Sequence, residues 1–150
     1  MARISTVVIQ DSVDVDKIGL FVSDSRGRGF EMVSCMFEIL NFESLIAIGE
    51  GFPFIQAMLT LSKSNGINEG VAGSVQNLFG FATRYSSDVL TSKFNFVLPE
   101  PILVSLDDLH VEIAADDVSV PLQMGVTLWG DFVELTELQK AIFASKSEYG

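Results

Sequence analysis

The side chains that could do nucleophilic chemistry are few in this 150-residue chain, which has one histidine, His110, and one cysteine, Cys35. A nucleophile needs a base beside it, so a Cys35–His110 pair is the one such arrangement that these residues offer. Neither residue has a flanking signature, and Cys35 lies in an apolar stretch typical of a buried thiol. One histidine and one cysteine also suit zinc poorly. We therefore predict that the chain is not an enzyme.

Carboxylates are the remaining groups with chemical potential. Glycosidases use two acids, but nothing in the sequence fixes a pair such as Glu31 and Glu38, or Asp107 and Asp108, at the required separation. Aspartates on both sides of a predicted strand lie in apparent turns, where they could converge on calcium. The candidate calcium ligands are Asp107, Asp108, Asp116 and Asp117. Their spacing does not match an EF-hand, so we expect no cofactor, and calcium stays the one metal hypothesis.

Charge argues against recognition of phosphates. The chain has nine basic and twenty acidic residues, for a net charge of −11. Residues 1–16 hold only Arg3 as a basic side chain, whereas nucleic-acid binding concentrates lysine and arginine. The segment Gly27–Gly29 lacks the strand-to-helix setting of a phosphate-binding loop. We predict no direct binding of nucleic acid through a basic arm.

Alternation with a period of two dominates the chain and predicts strands. They are predicted at residues 6–9, 18–22, 30–40, 54–61, 94–98, 102–106, 109–113 and 120–135. Residues 75–85 fit a strand or a helix, and Gly80 with its aromatic neighbours favours the strand. Pro99 and Pro101 cannot donate to a ladder, which predicts a break or bend at a sheet edge. One helix is predicted at 137–145, where Thr136 and Gln139 form a capping box.

About eight short strands without alternating long helices predict an all-β fold in a single domain, residues 1–150. The predicted architecture is an antiparallel β-sandwich, a jelly roll, with a short C-terminal helix. Residues 1–6 lack the apolar segment of a signal peptide. The stretch 45–61 is interrupted by Glu50, Pro53 and Gln56, so we predict no transmembrane segment.

In strand count, long loop at 62–73 and short terminal helix, the chain resembles the small single-jelly-roll proteins of viral capsids and virions. That resemblance implies a structural virion protein, capsid or accessory, located in the virion. For a protein of another function, the lack of a signal peptide predicts the cytoplasm. Hydrophobic residues make up 48% of the chain, more than one small sandwich needs, which favours a homo-oligomer or contacts with other structural subunits. The predicted interface residues are Met32, Met36, Phe54, Met58, Trp129, Leu138 and Ile142.

An alternative function uses the same fold as a binding module for a glycan or peptide. Trp129 is predicted on the more polar face of its strand, and Tyr85 could join it at an exposed site with the 62–73 loop. This alternative predicts a monomer.

Overall fold

The computed structural model describes residues 1–13, 17–20, 28–46, 53–60, 77–85, 91–106, 109–116, 118 and 120–142. Within these ranges the chain forms eight strands and the short helix α1. The elements are β1 (Ala2–Ile9), β2 (Lys17–Leu20), β3 (Arg28–Ile39), α1 (Phe42–Ile46), β4 (Phe54–Thr60), β5 (Asn77–Arg84), β6 (Lys93–Ser105), β7 (His110–Asp116) and β8 (Gln123–Glu134). Residues 137–142 are helical.

The strands form two four-stranded sheets in which every pair is antiparallel. Sheet A has the order β1-β8-β3-β6, and sheet B has the order β2-β7-β4-β5. Strands adjacent along the chain, such as β1 and β2 or β7 and β8, therefore lie in different sheets, with the exception of β4 and β5, which pair in sheet B. This is the eight-stranded double sheet of a jelly roll. The predicted all-β sandwich is confirmed, and so is the strand over most of residues 75–85.

The core lies between the two sheets and consists of apolar side chains from alternate residues of each strand. Aromatic rings join the layers: Phe37 of β3 meets Phe81 of β5 edge-on with ring centroids 5.6 Å apart. Phe81 in turn stacks on Phe94 of β6 at 3.8 Å. Ring pairs of this kind stabilise beyond their buried area, by about 0.5–1.5 kcal/mol each.

A β-bulge in β3 decides which side chains face this core. Met32 pairs with Gly130 and Ser34 pairs with Trp129, so Val33 is one residue more than the facing segment of β8 has. The bulge reverses the alternation, which turns Met32 inward with Cys35 and Phe37 on the other side of the bulge. Met32 was predicted as an interface residue, and this prediction is wrong, because it requires an unbroken alternation along β3 and the bulge turns Met32 into the core.

Gly130 makes room for the bulge. A Cβ atom at this position would lie 2.1 Å from the carbonyl oxygen of Glu31, far inside van der Waals contact. Only a residue without a Cβ atom lets the two backbones come this close. The sequence signal at Gly130, a glycine inside a strand pattern, correctly indicated an irregularity here.

The two prolines of β6 lie where the strand loses its partner. Val97 pairs with Ser34 and Ile102 pairs with Met32, so residues 98–101 have no partner in β3. Since β6 is also an edge strand, Pro99 and Pro101 interrupt no ladder.

The capping box before the C-terminal helix is confirmed. The amide of Gln139 donates to Oγ1 of Thr136 at 3.1 Å, and the amide of Thr136 donates to Oε1 of Gln139 at 2.9 Å. The predicted helix extends to 145, and its residues 143–145 lie outside the described part, as does the 62–73 loop. Among the described residues no helix is long and apolar enough to cross a membrane.

Candidate interaction surface

The structure does not bring Cys35 and His110 together. Cys35 points into the core, and this burial raises the pKa of its thiol from 9.0 to about 12, so the thiol stays protonated and unreactive. His110 pairs with Thr60 on sheet B and alternates with the core residue Val111, which places it on the outer side of that sheet. One whole sheet thus separates the two side chains.

The structure does not bring together the carboxylate pair Glu31 and Glu38 that the sequence analysis considered. Glu31 and Glu38 lie seven residues apart along β3, about 20 Å, whereas glycosidase pairs need about 5–10 Å. Asp116 ends β7 and is exposed, while Asp107, Asp108 and Asp117 fall outside the described ranges. Within the described residues no three potential ligands from histidine, cysteine, aspartate and glutamate gather around one point. The calcium hypothesis stays a prediction.

Tyr85 and Trp129, the two aromatic residues of the alternative glycan- or peptide-binding site, lie in different parts of the molecule. Tyr85 is buried in the core, its hydroxyl donates to the carbonyl oxygen of Thr91, and its ring meets Phe42 at 5.2 Å. Burial raises the pKa of Tyr85 to about 12. Trp129 is half-buried on the outer side of sheet A. The expectation of an exposed Tyr85 is wrong, because Tyr85 directly follows β5 and closes the end of the core.

Apart from Met32, which is buried in the core, the predicted interface residues are distributed over three surfaces. Met36 and Trp129 lie on the outer side of sheet A, in neighbouring rows of β3 and β8. Phe54 and Met58 lie on the outer side of sheet B and are half-buried. Leu138 and Ile142 lie on the C-terminal helix and are exposed.

The outer face of sheet A forms a regular array. We define it as the outward residues of four strand segments together with Leu40, which directly follows β3. These residues are Arg3, Ser5, Val7 and Ile9 of β1; Gln123, Gly125, Thr127 and Trp129 of β8; Ser34, Met36 and Glu38 of β3; and Lys93, Asn95 and Val97 of β6. Four of the large exposed apolar side chains belong to it. They are Val97 (79% exposed), Val7 (56%), Ile9 and Leu40.

Val7, Ile9 and Leu40 form what we call the apolar corner of this face. Val7 pairs with Gly125, and Leu40 lies over Gly125, with its Cδ2 atom 3.4 Å from the point where a Cβ atom would be. Leu40 therefore lies above β8 in the row that Gly125 shares with Val7, and Ile9 lies one outward position further along β1.

Two amide side chains hold the apolar corner in place. Gln10 follows Ile9 and is buried; its backbone amide donates to the carbonyl of Leu122 at 3.0 Å, and its Oε1 accepts from the Leu122 amide at 2.8 Å. Asn41 follows Leu40 and donates to the carbonyl of Pro121 at 2.8 Å while accepting from the amide of Gln123 at 3.1 Å. Both ends of the corner are thus fixed to the start of β8.

The charge of this face differs from that of the chain. It carries two bases, Arg3 and Lys93, and one acid, Glu38, whose carboxylate lies 3.9 Å from Lys93. Beyond the bulge, Glu31 and Asp131 pair with each other on the same outer side of sheet A and add two exposed acids, so the basic character is confined to these segments.

The outer face of sheet B is different, because its centre is covered. Glu112 pairs with Ile18 on one side and Met58 on the other, and it is only 1% exposed. Thr60 and Ala114 on the same side are also buried. This centre is part of the packed interior of the protein, whereas the centre of the other face is open.

The apolar corner is not among the surfaces predicted from the sequence. Its signal was the run Val7-Val8-Ile9, since three consecutive apolar residues in a strand must place at least one side chain on each face. Leu40 had no such signal, because its position depends on the hydrogen bonds of Asn41.

No protein-family profile matches the chain, and no curated protein matches it. One similar solved structure is a chain of Desmodium yellow mottle tymovirus, with 8% sequence identity and a TM-score of 0.39; the match covers 91% of this chain and 84% of that chain. Another is a chain of the naturally occurring empty particles of cowpea mosaic virus, with 9% identity and a TM-score of 0.44; the match covers 90% of this chain and 79% of that chain. A chain from the disulfide-linked pili of Bacillus endospore appendages is similar over 90% of this chain and 88% of its own, at 13% identity and TM-score 0.39. The chain therefore has the weak fold resemblance to virus-particle proteins that its strand pattern predicted, and this resemblance concerns fold alone.

Proposed function

We propose that this protein is a non-enzymatic structural subunit, of the virion type, that assembles with copies of itself through the outer face of sheet A. The observation that carries the proposal is the exposed apolar corner, fixed by Gln10 and Asn41 at one end of the outer face of sheet A. Large apolar side chains that cluster on a rigid surface are typical of interaction sites.

The size of the face predicts how strongly two copies associate. Four strands about 4.8 Å apart and seven residues of about 3.3 Å give a footprint of roughly 20 Å by 23 Å. A stable standard-size interface uses about 800 Å² per partner, roughly twice this footprint. A single contact is therefore weak, and a stable assembly needs several contacts per copy, as a shell or filament provides.

Sedimentation velocity over a wide range of protein concentration, at low and high salt, tests the proposal. We expect mass to rise with concentration and with salt, because salt screens the −11 charge that each copy carries. The same series with calcium tests the remaining metal hypothesis. A wild-type protein that stays monomeric at the highest concentration under every condition contradicts the proposal.

The double variant Val7→Thr/Ile9→Thr locates the contact. Threonine keeps the β-branched shape and the charge but replaces buried methyl groups, which costs about 1.5 kcal/mol in a contact, or about tenfold in affinity. Ala82→Thr, at an exposed position of β5 on the outer side of sheet B, is the matched control and should associate like the wild type. Equal association of all three proteins would place the contact elsewhere.

A further inference from the structure

The edge strands of the two sheets are protected to different degrees. An edge strand presents unpaired N–H and C=O groups, and proteins blunt such edges with prolines, lysines, bulges or very short strands. In sheet A, β6 contains Pro99 and Pro101 and shifts its register against β3. In sheet B, β2 has only four residues, and β5 shifts its register against β4. β1 has none of these devices, because its eight residues pair with β8 in unbroken register and include no proline and no lysine.

The register of β1 shows which of its backbone groups point away from the sheet. Ile9 pairs with Gln123, and the next residue, Gln10, donates its amide to the carbonyl oxygen of Leu122 at 3.0 Å. Hydrogen-bonded and non-hydrogen-bonded pairs alternate in an antiparallel ladder, so the even-numbered residues of β1 bond to β8. The N–H and C=O groups of the odd-numbered residues therefore point out of the edge. These residues are Arg3, Ser5, Val7 and Ile9, and all four are exposed.

The open edge lies beside exposed apolar side chains. In the part of the chain that the structure describes, β1 pairs with β8 alone. Val7 and Ile9 are 56% and 47% exposed, and both belong to the apolar corner. A further strand along β1 would satisfy the outward backbone groups and pack against both apolar side chains. The occupant that this edge requires is therefore an extended strand.

We infer that β1 of one copy pairs antiparallel with β1 of a second copy, with Val7 on the two-fold axis between them. This deepens the proposed function and rests on it, because it names the first contact between copies. Ser5 then lies opposite Ile9 of the second copy, and the two apolar corners meet at the middle of the pair. The same surface serves both copies, so the contact closes as a dimer.

The position of Arg3 favours the antiparallel direction. Arg3 is the only charged residue of β1, and a parallel pair in register would bring two arginines side by side. In the antiparallel pair each Arg3 instead faces Asp11 of the second copy, and the Asp11 side chain is 75% exposed. Asp11 also lies 2.9 Å from Lys17, and Asp131 lies 3.5 Å from the amine of Met1, so both acids already have a cation nearby. The direction therefore follows from keeping the two arginines apart, and not from a net charge of the edge.

The area of the outer face favours a second copy as the occupant of this edge. The face of one copy, roughly 20 Å by 23 Å, is about half of what a standard-size interface uses. Pairing through β1 joins sheet A of both copies into one eight-stranded sheet, whose outer face measures roughly 40 Å by 23 Å. This reaches the value of about 800 Å² per partner that a standard-size interface needs. The dimer, rather than the single copy, is then the unit that associates through the outer face of sheet A.

Disulfide cross-linking of cysteine variants tests the pairing and its register. Opposite residues of a hydrogen-bonded pair have Cα atoms about 5.5 Å apart, a distance that a disulfide bridges. We expect Val7→Cys to form a linked dimer of twice the 16.4 kDa chain mass under mild oxidation. Ser5→Cys and Ile9→Cys each lie about 15 Å from the same residue of the second copy, so each alone should form little dimer, whereas their mixture should cross-link. Non-reducing electrophoresis measures the dimer.

Two proteins are the controls for cross-linking by chance collision. The wild type has only the buried Cys35 and should form no linked dimer. Ala82→Cys places an exposed thiol on the outer side of sheet B. Because pairing holds the two thiols together, Val7→Cys should cross-link at least about tenfold faster than Ala82→Cys.

Ser5→Pro tests the pairing without a new thiol. It removes an outward N–H but no hydrogen bond to β8, and it leaves the side chains of the apolar corner unchanged. The symmetric pair loses two hydrogen bonds, so association should weaken about tenfold or more. Ser5→Ala keeps the amide and should associate like the wild type. Sedimentation measures association, and a urea titration establishes that Ser5→Pro folds; if it does not fold, the cross-linking series decides.

Each other outcome is decisive. If the wild type assembles but Val7→Cys cross-links no faster than Ala82→Cys, the inference is wrong, and the proposed function stands with the outer face as the whole contact. A folded Ser5→Pro that associates like the wild type has the same meaning. If Ser5→Cys or Ile9→Cys alone cross-links faster than Val7→Cys, the axis does not pass through Val7 and the inference is wrong. If the wild type stays monomeric under every condition, the proposed function fails and the inference fails with it.

Discussion

The two outer faces of the sandwich are built from equal numbers of strands, but they differ in which outward side chains are exposed and which are buried. On sheet A, the outward side chains include Val7, Ile9 and Val97, which are exposed although they are apolar. On sheet B, the outward Glu112 is buried although it is acidic. Each face therefore breaks the rule that outward residues are polar and solvated, in opposite directions. The centre of the outer side of sheet B is covered, whereas the outer side of sheet A is open, and this difference is why we propose sheet A for the contact with a partner.

The largest expected effect is a pH-dependent loss of stability in the core that lies between the two sheets. Because the pKa of Cys35 is raised by burial from 9.0 to about 12, the neutral thiol favours the folded state. This contribution is complete below pH 9 and is lost as the pH rises towards 12, a decrease of about 4 kcal/mol in the free energy of unfolding. Tyr85 acts in the same direction above its ordinary pKa of 10.0. Urea unfolding between pH 8 and about pH 11 should show the decline, and Cys35→Ala should reduce its slope; equal slopes would contradict it.

The next largest expected effect is a difference in stability between alanine substitutions at two glycines of β8, one on the core side of sheet A and one on its outer side. Gly130→Ala places a Cβ atom against the backbone of Glu31 and should lower the free energy of unfolding by about 3 kcal/mol or more. Gly125→Ala, five residues earlier on β8, meets only Leu40 at 3.4 Å and should be neutral or slightly stabilising. Urea titrations of both variants measure the difference. Equal effects would mean that the bulge tolerates a side chain.

A pair of glutamates compares the two outer faces directly. Glu112→Ala removes a buried side chain between Ile18 and Met58 and should destabilise by about 2–3 kcal/mol. Glu38→Ala loses only a solvent-accessible ion pair to Lys93, worth about 0.5 kcal/mol or less. Thermal unfolding of both variants is the measurement. A larger effect at Glu38 would reverse the assignment of the two faces.

The smallest effects come from two half-buried methionines in matching positions. Met58→Thr should lower the stability of the monomer by about 1–2 kcal/mol and leave assembly unchanged, because it lines the buried centre of sheet B. Met36→Thr, on the outer face of sheet A, should change stability by less than about 1 kcal/mol and weaken assembly a few-fold. Unfolding and sedimentation of both proteins give the two readouts. The reverse pattern would assign assembly to sheet B.

The sequence predicted the fold because the signals for it are local. Strand alternation, the capping box at Thr136 and the prolines of β6 each act through their own neighbours. The candidate surface depended on non-local features that no window of sequence contains. One inserted residue at Val33 reversed the direction of Met32, and Glu112 is buried although it alternates with core residues. The position of Leu40 depends on hydrogen bonds that join Asn41 to residues 80 or more positions away.

The position of β8 in sheet A has a consequence for the order of events in folding. β8 is the last strand along the described chain, yet it lies between β1, the first, and β3, and pairs with both. During synthesis β1 and β3 therefore stay without their shared neighbour until residues 123–134 have left the ribosome. Pairing across more than a hundred residues is slow, so we expect refolding on the scale of milliseconds to seconds. We therefore expect the apolar corner, whose two ends are fixed to the start of β8, to be among the last parts of the molecule to form. Under the proposed self-association, this order keeps nascent chains apart until their cores are closed.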